Sequence, residues 1–319
     1  MPRASSLPVI AVIGPTASGK TALAIALARL MGRTGHPAEI VNADSMLVYR
    51  GMDIGTAKPS PDELAAVPHH LVDIWDLTRT ATVADFQRLA REAIADCRAR
   101  GVVPVLVGGS SLYIRAILDD FDFPGTDPAV RARLEAELEQ VGSEAMYERL
   151  RAADPQGAAR VEPNNARRIV RALEMIELTG HYSSTLPAHS YALEDVVEIG
   201  MSLERDVLDE RIARRVEKMW ADGFVAEVRR LEGEGLRQGR TASRAIGYRQ
   251  VLDLLDGTID EATAKEGTIT RTRRFARKQL GWFRRDDRIL WVDATRPPEA
   301  LAAELLDGPL RRFGLSTVE

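Results

Sequence analysis

Three short stretches of this 319-residue chain carry residue types and spacings suited to phosphate and proton-transfer chemistry. The first is Gly14-Pro15-Thr16-Ala17-Ser18-Gly19-Lys20-Thr21, a G-x-x-x-x-G-K-T pattern directly after the apolar run at residues 7–13. Gly14 and Gly19 let the backbone turn tightly and aim N–H groups inward. Lys20 reaches a terminal phosphate as a point charge, and the Thr21 hydroxyl suits Mg²⁺. A helix beginning near Lys20 turns its positive end toward the anion. Alone, the pattern predicts a site for at least two linked phosphates.

The second stretch is Asn42-Ala43-Asp44-Ser45 and the third Gly108-Gly109-Ser110-Ser111. Each follows an expected strand, and open α/β sheets bind ligands beyond the carboxyl ends of their strands. Asp44 could accept a proton from an incoming nucleophile; a helix cap or an outer Mg²⁺ contact is the plainer alternative. Ser110 follows two glycines, so its hydroxyl and backbone approach a ligand closely, unless they only cap the next helix. Asp73 and Asp293 also end expected strands and read as caps. No N-K-x-D guanine signal occurs, which argues against a GTPase. The fourth strand ends in Gly-Gly, without the acidic Mg²⁺ ligand of motor ATPases. His69 and His70 are adjacent, so a strand sends them to opposite faces and they share no metal.

The elements that must position these residues alternate as in a doubly wound parallel α/β sheet. Strands are expected at Val9–Ile13, 39–42, 70–74 and 102–107, and helices at 20–31 and 83–100. Residues 127–179 hold no strand-like run. There, Asp127 before Pro128 marks one helix start, and Asn164 or Asn165 caps another that runs to Thr179 and stops at Gly180. Strand character returns at 196–203 and 289–292, with helices at 207–233, 243–256 and 259–284 between. The expectation is a P-loop core of residues 1–123 and 191–319, with a small all-helical insertion at 124–190 and a linker at 181–189.

Composition is that of a soluble globular protein, 45% hydrophobic and 28% charged, with no run approaching a membrane span. A cytoplasmic location is expected. Cys97, the single cysteine, reads as a small core residue and excludes an internal disulfide. The net charge of −4 hides an asymmetry. Residues 271–288 carry +6 and residues 237–249 carry +4, which leaves −14 on the rest. Such basic segments bind polyanions even in an acidic chain.

Residues 14–21, the stretch Asn42 through Pro59, Pro68-His-His-Leu71 and Val107 through Tyr113 resemble the tRNA dimethylallyltransferase (tRNA isopentenyltransferase) family. So do residues 127–131, 243–250 and 277–284, and the likeness runs from about residue 8 to about residue 293. It implies transfer of a dimethylallyl group from dimethylallyl diphosphate to N6 of adenosine 37, beside the tRNA anticodon. Asp44 would then take the amine proton. Lys20, and Thr21 with Mg²⁺, would stabilise the departing diphosphate. Ser110 stands where the family usually has Thr. Arg215 matches the leaving-group arginine, with Arg211 one turn away as the alternative.

For the anticodon stem-loop, the resemblance points to Asp44, Ser45, Met46, Leu47, Ser110 and Arg131. It points also to Arg167, Arg168, Ile169, Val170 and Arg171, and to Arg244, Ala245, Ile246, Gly247, Tyr248 and Arg249. The last group is Arg277, Lys278, Gln279, Leu280, Gly281, Trp282, Phe283 and Arg284. On its own pattern Trp282 reads as core, with stacking on RNA as the alternative. The chain lacks the Cys/His pairs of eukaryotic relatives, which implies a bacterial form, expected to act as a monomer away from membranes. The competing reading of the P-loop and Asp44 is a small-molecule or nucleotide kinase.

Overall fold

The computed structural model describes residues 7–120, 125–182 and 188–317. The expected 123/124 junction and the centre of the 181–189 linker lie outside the described residues. The chain divides into two compact units, Met1–Asp119 with Tyr191–Glu319, and Asp120–Ser190.

The first unit is built on six strands: β1 (Val9–Ile13), β2 (Ala38–Asn42), β3 (His69–His70), β4 (Val103–Gly108), β5 (Val196–Ser202) and β6 (Leu290–Asp293). They form one parallel sheet in the order β3-β2-β4-β1-β5-β6. β1 is buried throughout, as a central strand covered on both faces must be. Its side chains alternate between two cores. Val9, Ala11 and Ile13 join Phe86, Ile94, Phe224 and Tyr248. Ile10 and Val12 join Leu23, Leu27 and Met31 of the helix Lys20–Arg33, and Leu301 and Leu305 of Pro298–Asp307. The doubly wound parallel sheet is therefore as the sequence implied.

Register decides where the chemistry sits. Ile13 pairs with Gly108 on one side and Gly200 on the other, and Asn42 pairs with Val107. The strands end level, so the loops after β1, β2 and β4 emerge together at one edge.

Three elements differ from the pattern. The strand expected at 70–74 stops at His70, because Leu71 (φ 63°) and Asp73 (φ 55°) take left-handed conformations that end pairing. The helix expected at 207–233 is two, Arg205–Ala221 and Phe224–Gly233, parted at Gly223 (φ 96°). The third, at 243–256, begins as a 3₁₀ turn, Ala242–Arg244, and becomes the helix Tyr248–Leu255 only after Gly247 (φ 90°).

The second unit packs Leu134, Met146, Leu150, Ile169, Val170 and Leu173 into its own core. Asp127 caps Pro128–Ala153 by accepting the N–H groups of Ala129 and Val130. Asn165, not Asn164, caps Ala166–Thr179, which ends at left-handed Gly180. Where the chain leaves and re-enters the sheet unit, Asp119 and Tyr191 form an antiparallel bridge. Arg288 pairs there with buried Asp119 and Asp286 at 2.7 Å, so this member of the basic segment is structural and not surface charge.

Candidate active site

The loop 14–21 wraps around its own backbone. Gly14 has φ 146° and sits so close to β5 that a Cβ would lie 3.0 Å from Met201 Cβ. Ser18 Oγ and Lys20 Nζ both donate to the Pro15 carbonyl, at 2.8 and 2.6 Å. Burial in the pocket floor lowers the Lys20 ammonium to about 8, with Asp44 opposing that shift and Arg215 adding to it.

Asp44 is held by an interlocked turn. Its N–H donates to Asn42 Oδ1 (2.8 Å), and its Oδ1 accepts the Met46 N–H (2.8 Å). Asn42 is itself buried and donates Nδ2 to the carbonyls of Asp44 and Leu71. One carboxylate oxygen thus fixes the side chain, while the carboxylate still lines the pocket. Ser110 precedes the helix Ser111–Leu118, yet its hydroxyl makes no capping bond; it lines the cavity instead.

Arg215 reaches the loop from the helix Arg205–Ala221. Nη1 donates to Thr16 Oγ1 at 3.2 Å and Nη2 to the Thr56 carbonyl at 3.1 Å. Burial pushes its pKa down, though a guanidinium stays charged. Arg211, the alternative, donates to the Ala294 carbonyl and lines neither cavity described below.

Two adjoining cavities meet at these residues. One, of about 110 Å³, is lined by Lys20, Thr21, Asn42 and Gly109. The other, of about 270 Å³, is lined by Met46, Ile212, Met219, Arg244, Ile246 and Ser110. Asp44, Thr16, Thr56, Arg215, Phe275 and Gln279 belong to both walls. A cationic floor thus opens past a carboxylate into a more apolar chamber. The oxygens of Thr21 and Asp44 are hard donors of the kind Mg²⁺ takes.

The residues expected to meet RNA divide by exposure. Arg244, Arg249, Arg277, Lys278, Gly281 and Arg284 are exposed, as are Arg167 and Arg168 of the helical unit. Arg249 pairs with Asp253 at 3.0 Å. Arg131 and Arg171 are half-buried and both pair with buried Glu174. Several expectations need correction. Ile169, Val170, Gly247 and Phe283 are interior and present no surface to RNA, whereas Ala245 and Tyr248, also buried, line the larger cavity. Leu280 packs partly against the core. Gln279 is buried on the P-loop, its Oε1 accepting the Thr16 N–H at 2.9 Å. Trp282 corrects in the opposite sense. It is 48% exposed with Arg285 over its ring, so it is not core.

Sequence reasoning missed Glu227. This buried carboxylate accepts the N–H groups of Asp53, Ile54 and Gly55 and the Tyr248 hydroxyl at 2.6 to 3.2 Å. It thereby fixes the loop that presents Thr56 to Arg215. The signal was available: Glu227 interrupts the apolar face Phe224, Val228 and Leu231 at helical spacing. Glu227→Ala would strand these donors in the interior, and chemical denaturation is expected to show a loss of about 3 kcal/mol. A loss below about 0.5 kcal/mol, typical of a surface change, would contradict that role.

The IPP transferase family model matches residues 47–286. The chain is 57% identical to the tRNA dimethylallyltransferase of Kineococcus radiotolerans over 291 residues, covering 91% of this chain and 92% of that protein. It is 58% identical to the Thermobifida fusca protein of the same name over 290 residues, 91% of each. Among solved structures, the full-length tRNA isopentenylpyrophosphate transferase of Bacillus halodurans is similar at TM-score 0.68 and 37% identity, over 96% of this chain and 98% of that one. A eukaryotic dimethylallyltransferase solved acting on tRNA shares the fold at TM-score 0.76 and 24% identity, over 97% of this chain and 78% of that one. These relatives do not favour the kinase reading. The chain belongs to the tRNA dimethylallyltransferase family of IPP transferases.

Proposed function

We propose that this chain transfers the dimethylallyl group of dimethylallyl diphosphate to N6 of adenosine 37 in the tRNA anticodon loop, releasing diphosphate. One observation carries the assignment to this site. Asp44 stands in the shared wall between the P-loop cavity and the larger, more apolar one. The diphosphate occupies the first cavity and the prenyl chain and adenine meet in the second. N6 attacks C1 of the allyl group as the C1–O bond breaks. The N6 proton passes to Asp44, and the bond electrons leave with the diphosphate. An exocyclic amine is a poor nucleophile, so losing that proton as the C–N bond forms lowers the barrier. Lys20, Arg215 and the Ser110 hydroxyl stabilise charge that grows on the leaving oxygens.

Thr21, with oxygens of the same pocket, would hold Mg²⁺, which when bound neutralises diphosphate charge. A loop adenine leaves its stack at modest cost. The exposed Arg277, Lys278 and Arg284 engage backbone phosphates, and exposed Trp282 is available to stack. The enzyme is read as a cytoplasmic monomer; no described helix is long and apolar enough to cross a membrane.

The test incubates several unmodified tRNA transcripts with dimethylallyl diphosphate and Mg²⁺, then analyses nucleosides by mass spectrometry. The expected product is an anticodon-loop adenosine enlarged by one C5H8 unit. No such adenosine in any transcript would overturn the proposal.

A further inference from the structure

Gln279 lies in the segment first assigned to RNA, yet the geometry gives it another task. It belongs to the helix Glu261–Phe283, directly after the exposed Arg277 and Lys278. Its own side chain turns inward and is only 6% exposed. There Oε1 accepts the Thr16 N–H at 2.9 Å, across a separation of 263 residues. Gly109 makes room for the amide, since a Cβ there would lie 2.5 Å from Gln279 Nε2 and 3.2 Å from the Gly14 carbonyl.

Thr16 is thereby held twice. Its backbone N–H rests on Gln279, and its hydroxyl accepts from Arg215. Freeing the first contact loosens the residue against which the second is aligned. A buried N–H left without a partner also favours a different loop conformation.

We infer that Gln279 is a positioning residue, clamping the P-loop so that Thr16 and Arg215 are set for the diphosphate. The inference rests on the proposed site for the diphosphate. Its first readout is inorganic diphosphate with Mg²⁺, measured calorimetrically on the whole protein, so it does not depend on prenyl transfer.

Gln279→Met keeps the side-chain volume and removes the acceptor. Diphosphate binding is expected to weaken about ten-fold, the size of one lost buried hydrogen bond. KM for dimethylallyl diphosphate should rise in the same ratio. Affinity for an anticodon stem-loop RNA should stay within about two-fold, because Oε1 is committed to the Thr16 N–H and the exposed cations of this segment are Arg277, Lys278 and Arg284. Gly109→Ala displaces the amide from the other side and should reproduce the diphosphate loss with Gln279 in place; it carries the test if Gln279→Met does not fold. Unchanged diphosphate binding, or weakened RNA binding with diphosphate unaffected, would overturn the inference. So would an equal loss for both ligands, which marks general structural damage. If wild type binds diphosphate through Gln279 yet prenylates no RNA, the functional proposal falls and the clamp stands.

Discussion

Asp44→Asn is expected to slow prenyl transfer by about 10³-fold while RNA binding stays within a few fold. General-base groups contribute on the order of 10²–10⁴, and Asp44 stands in the wall common to both cavities. The amide is the informative replacement. Its oxygen can still accept the Met46 N–H that now bonds Asp44 Oδ1, so the turn survives while basicity is lost. Asp44→Ala removes both and confounds them. Single-turnover transfer with RNA and diphosphate saturating reads the chemical step directly. An Asn variant within about three-fold of wild type would make Asp44 a structural turn residue.

The second large effect is expected at Lys20. Removing one preorganised donor from a developing oxyanion costs on the order of 10²–10³ in rate, and Lys20→Met should fall in that range. The pH profile adds a signature. With its pKa lowered to about 8 by burial, free Lys20 is charged below pH 8 and loses its proton above it. The diphosphate prefers the charged form, so its KM should rise as pH increases beyond about 8, approaching ten-fold per pH unit. Lys20→Met should lack that limb. The same rise in both proteins would trace it to another group.

The site was legible where local rules act. The P-loop, Asp44 and Ser110 each follow a strand, and the level register of β1, β2 and β4 brings their loops to one edge. What stayed hidden depends on distant partners. Nothing near Gln279 indicates that its amide meets Thr16, and nothing near Glu227 names the backbone of 53–55 as its ligand. Trp282 was misread although the phase was present: Ala276, Gln279 and Phe283 mark the buried stripe of their helix, and residue 282 falls beside it. The short β3 was misread because Leu71 and Asp73 hold positive φ without being glycine, a choice propensity disfavours.

The central claim is that the carbon chain moves and the phosphates stay with the P-loop until they leave together. Dimethylallyl diphosphate labelled with ¹⁴C in the allyl group and ³²P in the phosphates tests it most directly. After one turnover with unmodified tRNA, the account predicts ¹⁴C in the anticodon loop, no ³²P in RNA, and all ³²P recovered as intact diphosphate. Phosphorus-32 incorporated into RNA, or recovered as monophosphate in step with turnover, would contradict it.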